Sequence, residues 1–283
     1  MEDKSKKQGK SIKQARKFFP KTSWKNIGFS ILLMMIWVFS AVIVSQFIVG
    51  YLMIWILGSE RFNDAVWMAV YSALTYCLAM FLILYVPKKI AARKSVSSGA
   101  KGETTEKGHE TSTGISKIEL GLRGLPTWTD IGLSLAGFVA YLILAAIVVA
   151  IFSIIFPWFN ATETQELGFN LYAVGLDRIV AFATLVVVAP IAEEVIFRGW
   201  LYGKMREKFN LKVPNWASTI ISMFLVSLLF GIVHLQWNVG VNVFAMSIIL
   251  CGLREITGTI YAGILLHMLK NGVAFYLLFI LGM

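Results

Sequence analysis

Four uncharged stretches limit what this chain can fold into. Residues 26–59, 65–87, 131–162 and 213–253 contain no Asp, Glu, Lys or Arg. A helix crosses a bilayer with about 20 apolar residues, so each stretch is long enough for at least one crossing. Composition agrees: 57% of the 283 residues are hydrophobic, 15% are charged, and mean hydropathy is +0.71. A soluble domain carries about 25% charged residues. The expected fold is therefore all-α, a polytopic transmembrane helical bundle. Spans are expected at about 27–56, 64–87, 130–156, 173–203, 215–237, 239–253 and 259–281, which makes seven, or eight if the first run breaks in two. Residues 27–283 then form a single membrane domain behind a basic tail, residues 1–26. The apolar run after that tail is too long for the core of a signal peptide and is read as an uncleaved first span.

The net charge of +10 is placed at span ends rather than spread as a nucleic-acid patch. Nine Lys or Arg lie in the first 25 residues. Lys88, Lys89, Arg93 and Lys94 follow the second run, and Lys204, Arg206, Lys208 and Lys212 close the fourth. Residues 157–172 contain neither Lys nor Arg. Basic residues concentrate in cytoplasmic loops, so this pattern puts the N-terminus inside and 157–172 outside. No nucleic-acid partner is expected; the lipid bilayer is. Residues 95–117, rich in Ser, Gly, Thr and Lys, read as a hydrophilic cytoplasmic linker, with His109 a solvated loop residue. Cys77 and Cys251 both fall in apolar runs and read as small packing residues. The Asn160-Ala161-Thr162 sequon lies in the outer loop. No internal repeat is visible.

Ionisable groups inside a bilayer cost roughly 2.5–3.5 kcal/mol each and usually face a protein interior or water. Here they fall in three places. Glu193, Glu194 and Arg198 follow fourteen uncharged residues, 179–192. His234 closes F230-G-I-V-H234, and His267 and Asn271 bracket H267-M-L-K-N271. Glu194 and Arg198 are at i,i+4 and can pair. Glu193 is rotated from Glu194 by about 100°, so the two carboxylates cannot serve Arg198 equally. Phe230 with His234, and His267 with Asn271, also share helix faces. If the fourth helix continues through residue 209 and turns at 210–214, Glu193 and His234 differ in height by only about 5 Å.

A carboxylate and an imidazole around a water can act as general base and partner. A second histidine and a carboxamide can donate hydrogen bonds to a developing oxyanion. Each feature also has a plainer reading. Glu194–Arg198 alone is a structural ion pair. His234, near Gln236 and Trp237, is an interfacial anchor. His267–Asn271 is an interhelical clamp, and Phe230 is core packing.

The three segments together resemble the E-E-x-x-x-R, F-x-x-x-H and H-x-x-x-N/D motifs of the type II CAAX prenyl endopeptidases. This is the wider Abi family of CAAX proteases and bacteriocin-processing enzymes. The resemblance covers about residues 173–283, the expected catalytic core, and includes A189-P-I-A-E-E, F197-R-G-W-L-Y and T257-G-T-I. It implies an intramembrane endopeptidase acting on a membrane-associated peptide or protein. It implies Glu193 as general base, His234 holding and activating the water, His267 and Asn271 stabilising the oxyanion, and Glu194, Arg198 and Phe230 in support. It also implies a cavity open to the cytoplasmic side. Members are often labelled metalloproteases. Glu193, His234 and His267 would be the ligands if a zinc ion is bound, although no H-E-x-x-H is present. Two departures stand out: Ala262-Gly263 replaces a proline common in relatives, and Lys270 sits between His267 and Asn271.

Two other functions compete with the peptidase reading. A proton- or ion-coupled transporter would use the Glu–His–Arg set as a relay. A non-catalytic scaffold or bacteriocin-immunity protein would keep the fold without the chemistry. The modest length and the absence of an obvious eukaryotic sorting signal lean toward a bacterial plasma membrane and an unprenylated peptide substrate.

Overall fold

A computed structural model describes residues 23–62, 64–89, 116–163, 169, 170 and 174–282. Among these it holds seven helices long and apolar enough to cross a membrane. They are α1 Trp24–Leu57, α2 Ala65–Lys89, α3 Trp128–Ile155, α4 Leu176–Phe209, α5 Asn215–Ile232, α6 Trp237–Thr257 and α7 Tyr261–Leu281. A one-turn helix, Ser59–Phe62, joins α1 to α2. The all-α polytopic bundle expected from the apolar runs is what forms, and the chain is an integral membrane protein. The first run is a single helix of 34 residues. Most of the basic tail (1–22), most of the linker (95–115) and His109 lie outside the described residues.

Local chemistry fixes several helix ends. The Ser23 hydroxyl accepts from the Lys25 N–H at the start of α1. At α3, Thr127 and Asp130 form a reciprocal capping box, which satisfies two N–H groups left without helical partners. Gly258, in the left-handed conformation at φ 69°, ends α6. The helix after Glu193 does continue to Phe209 before the chain turns, as the matching of site heights required.

α4 is the central helix. Half of its most apolar window is buried, against 11% for α3. It packs on α1, α2, α5, α6 and α7, while α3 covers α6 and α7. Glycine permits one close approach outside α4: a Cβ on Gly231 of α5 would meet the Gly240 carbonyl of α6 at 2.7 Å. The long apolar side chains left exposed, such as Phe47 and Trp55 on α1 and Ile143 and Ile154 on α3, form the lipid-facing surface.

The basic segments gather at one end of the bundle. Lys88 lies 3.6 Å from Glu119. The Ser116 N–H, aided by Lys88, holds the Glu119 carboxyl below the usual carboxylate range. Arg206 pairs with Glu255 at 2.9 Å, Ile260 donates to the Gly121 carbonyl and Tyr261 to the Gly124 carbonyl. At the opposite end, Trp158 and Trp237 make an edge-to-face ring contact at 5.4 Å, and Asn238 donates to the Glu163 carbonyl. Exposed tryptophans stand at both ends, with Trp24, Trp128 and Trp216 at the basic one, so it is the charge alone that gives the asymmetry expected of a membrane protein.

His234 departs from its expected place. α5 ends at Ile232, five residues short of the expected boundary, so His234 sits in the turn before α6. Its ring still points back along α5, because Nδ1 lies 2.7 Å from the Phe230 carbonyl oxygen.

Candidate active site

Three helices and one turn bring the polar residues together. The middle of α4 is built irregularly. Its backbone ladder widens to i→i+5 spacing over Ala183–Val188 and again over Val195–Tyr202, on either side of Ala189–Glu194. Pro190 lies in this middle segment; it has no N–H and its ring crowds the preceding turn. Ala189 donates to the Thr184 carbonyl, one residue further back than in a regular helix. The next donor, which would reach Leu185, is Pro190, so the Leu185 carbonyl is left free of the ladder. Asn271 of α7 fills that vacancy, with Nδ2 donating to Leu185 O at 2.9 Å. Wide turns of this kind occur preferentially at functional sites.

Glu194 is fully buried, and its Oε1 accepts two hydrogen bonds. One comes from Arg198 Nη1 at 2.9 Å and one from His267 Nδ1 at 3.1 Å. The Arg198 guanidinium carbon lies 4.3 Å from the centre of the Phe230 ring, a cation–π contact. Phe230 also meets the rings of Phe197, His234 and His267 at 4.9, 5.0 and 5.9 Å. It is core packing in the literal sense, and it is also the surface on which the functional side chains are stacked. Gly263 of α7 makes room for the other Glu194 oxygen: a Cβ there would lie 3.1 Å from Oε2.

Glu193 faces a cavity of about 360 Å³ together with His234, His267, Lys270 and Asn271. Its Oε1 accepts from the Tyr76 hydroxyl at 2.6 Å. Its Oε2 lies 3.7 Å from His267 Nε2. The hydrogen-bond partners fix the histidine tautomers. A carboxylate and a carbonyl only accept, so Nδ1 of both His267 and His234 carries the hydrogen. In the neutral rings Nε2 is then a lone pair.

All seven residues singled out in the sequence thus meet around one site. Glu193, Phe230, His234, His267 and Asn271 line the cavity. Glu194 and Arg198 stand behind it as a buried ion pair. The cavity wall also runs to Phe169, Leu278 and Phe279. It therefore extends toward the end of the bundle that holds Trp158 and Trp237, whereas the resemblance implies a cavity open to the cytoplasmic side, where the basic segments are expected.

Residues 175–273 match the family model described as Type II CAAX prenyl endopeptidase Rce1-like. The match runs from the residue before α4 into α7. It encloses all three motifs and supports a CAAX-type intramembrane protease at the family level. No curated protein and no solved structure matches the chain.

The zinc set considered from sequence does not fit the geometry. Among the described residues no three His, Cys, Asp or Glu side chains are grouped so as to hold a metal ion. One oxygen of Glu193 is committed to the Tyr76 hydroxyl.

Tyr76 escaped the sequence reading. It lies on α2, 117 residues before Glu193, in a run to which no chemistry was assigned. One signal was present. Ser72, Thr75, Tyr76 and Ala79 repeat at three to four residues, a helical stripe with three hydroxyls in an apolar run, and all four line the cavity.

Proposed function

We propose that the chain is an intramembrane endopeptidase in which Glu193 is the general base. The observation that carries this reading is the facing pair of acceptors, Glu193 Oε2 and His267 Nε2, 3.7 Å apart on the cavity wall. That separation exceeds a direct hydrogen bond. A water donating to both atoms would turn its lone pairs toward the cavity. Glu193 accepts one water proton as oxygen attacks the peptide carbonyl, then returns it to the leaving amine. Tyr76 fixes one oxygen of Glu193 and so aims the other. Glu194, held by Arg198, keeps the hydrogen of His267 on Nδ1.

The oxyanion role is narrower than the resemblance implies. With hydrogen on Nδ1, neither histidine can donate through Nε2 until it becomes an imidazolium. Asn271 spends one Nδ2 hydrogen on Leu185 and has a second for the developing oxyanion. His234, with Nε2 free, is the nearby group that would hold water or, once protonated, donate.

The N-terminus is proposed to lie in the cytoplasm of a bacterial cell, supported by the shared basic end of α2, α4 and the 116–127 segment. The substrate is proposed to be a membrane-associated peptide without a prenyl group. The test is cleavage of membrane-associated peptides, prenylated and not, by detergent-purified protein. Wild type should cleave, and Glu193→Ala should lose roughly 10²–10⁴-fold in rate. Full activity in Glu193→Ala would remove Glu193 as the base. Proton flux without substrate would instead support a transporter.

A further inference from the structure

Lys270 is unexplained by the family motifs and by the mechanism above. It lines the cavity with Glu193, His267 and Asn271. Among the described residues its ammonium has no hydrogen bond and no carboxylate within 4 Å. Glu193 acts on it only at longer range. The other cation near the site, Arg198, is already neutralised by Glu194 at 2.9 Å. A lysine could have been replaced by any apolar residue on this face of α7, and a cation without a direct partner is costly in a membrane interior.

Its position gives it a use. α7 runs from the basic end toward the end that holds Trp158 and Trp237, so Lys270 lies about 4.5 Å beyond His267 along the axis. The cavity continues past it to Phe275, Leu278 and Phe279. A chain reaching Glu193 from that end passes apolar walls first, then the ammonium, then the reacting pair. An extended peptide advances about 3.3 Å per residue, so the ammonium stands one to three residues from the scissile bond.

We propose that Lys270 is a specificity-determining residue that pairs with a carboxylate on the substrate, one to three residues from the bond cleaved. The carboxylate is either the C-terminus of the peptide or an Asp or Glu side chain. This rests on the peptidase reading for its meaning, but the binding site is testable without turnover.

The probes are N-palmitoylated octapeptides made as C-terminal acids, as C-terminal amides, and as amides carrying one Asp in the last three positions. Binding to the full-length Glu193→Gln variant in detergent is read by fluorescence anisotropy, and cleavage by wild type by mass spectrometry. Anionic peptides should bind roughly tenfold or more tighter than neutral ones, the range of a charge-assisted hydrogen bond. Lys270→Met should reduce that preference to under about twofold, and Lys270→Arg should retain it. The acid and Asp arms separate the two sources of carboxylate. Equal binding of anionic and neutral peptides overturns the proposal, as does a preference that survives Lys270→Met. So does a Lys270→Met effect that lowers both classes alike, because Lys270 would then shape the cavity without reading the charge of the peptide. Selective binding without cleavage by wild type keeps the cation site and removes the peptidase reading instead.

Discussion

Arg198→Met separates an ion pair that holds the site from one that merely decorates a helix. Arg198 and Glu194 expose 1% and 0% of their side chains and meet at 2.9 Å, so neither charge can turn to solvent. Removing the guanidinium leaves the Glu194 carboxylate in a closed space with only the His267 N–H on Oε1, and it strips the cation from the Phe230 face. Breaking one side of a buried pair costs about 3–5 kcal/mol, whereas replacing both sides by apolar groups of similar volume is often neutral. Arg198→Met should therefore lose about 3–5 kcal/mol, and Glu194→Leu with Arg198→Met should lose far less than the two single changes together. The assay is unfolding of purified variants in mixed micelles with rising sodium dodecyl sulfate, run as a double-mutant cycle. The double variant should nonetheless be inactive, because His267 loses the acceptor that fixes its tautomer. A single-variant cost below about 1 kcal/mol, or purely additive losses, would refute a charged Glu194. The assignment of the His267 hydrogen to Nδ1 would go with it.

Tyr76→Phe removes one charge-assisted hydrogen bond at 2.6 Å without changing shape. It should lower kcat by roughly 10-fold or more with KM little changed, since a displaced base costs rate rather than binding; unchanged kcat would show that Tyr76 does not aim Glu193. Gly231→Ala places a Cβ 2.7 Å from the Gly240 carbonyl, a backbone atom that can only yield by moving a helix. It should destabilise by about 1–3 kcal/mol, as overpacking does, measured by the same unfolding assay. Asn271→Leu leaves the Leu185 carbonyl with no donor from the α4 ladder or from α7 and should cost about 1–3 kcal/mol. In a Pro190→Ala background, where residue 190 regains an N–H for that region, the Asn271→Leu cost should shrink; an undiminished cost would mean that the proline does not create the vacancy.

The bundle was legible because long uncharged runs admit few alternatives to spanning helices. The lengths of the helices were less so. Nothing in hydropathy says whether 34 residues make one helix or two, since a bilayer core needs only about 20. The extent of α4 could be read only by requiring Glu193 and His234 to share a depth. The same reasoning missed the end of α5, because Gln236 and Trp237 are as compatible with a helix tip as with a turn. Among the site residues, identity was legible and wiring was not. Glu193 and Glu194 are neighbours in sequence with opposite fates, one facing the cavity and one sealed against Gly263 and Arg198. A helical wheel separates them by about 100° but cannot say which side is wet.

Asn271 shows why the wiring needed three dimensions. Sequence spacing put it one turn above His267, where a carboxamide invites an oxyanion role. Its acceptor, the Leu185 carbonyl, has no mark of its own in the sequence. The carbonyl is free because Pro190, five residues later, supplies no N–H, and because Ala189 bonds one residue further back than usual. The proline and the asparagine thus form one device built from two helices 81 residues apart in the chain, residues 190 and 271. It locks α7 to the irregular part of α4 just where Glu193 and His267 must face each other. An α4 that was regular and had no proline at 190 would satisfy its own backbone and need no such tie, but it would also rotate Glu193 relative to the segment before residue 190. In this fold the defect in the helix and the position of the base are one feature.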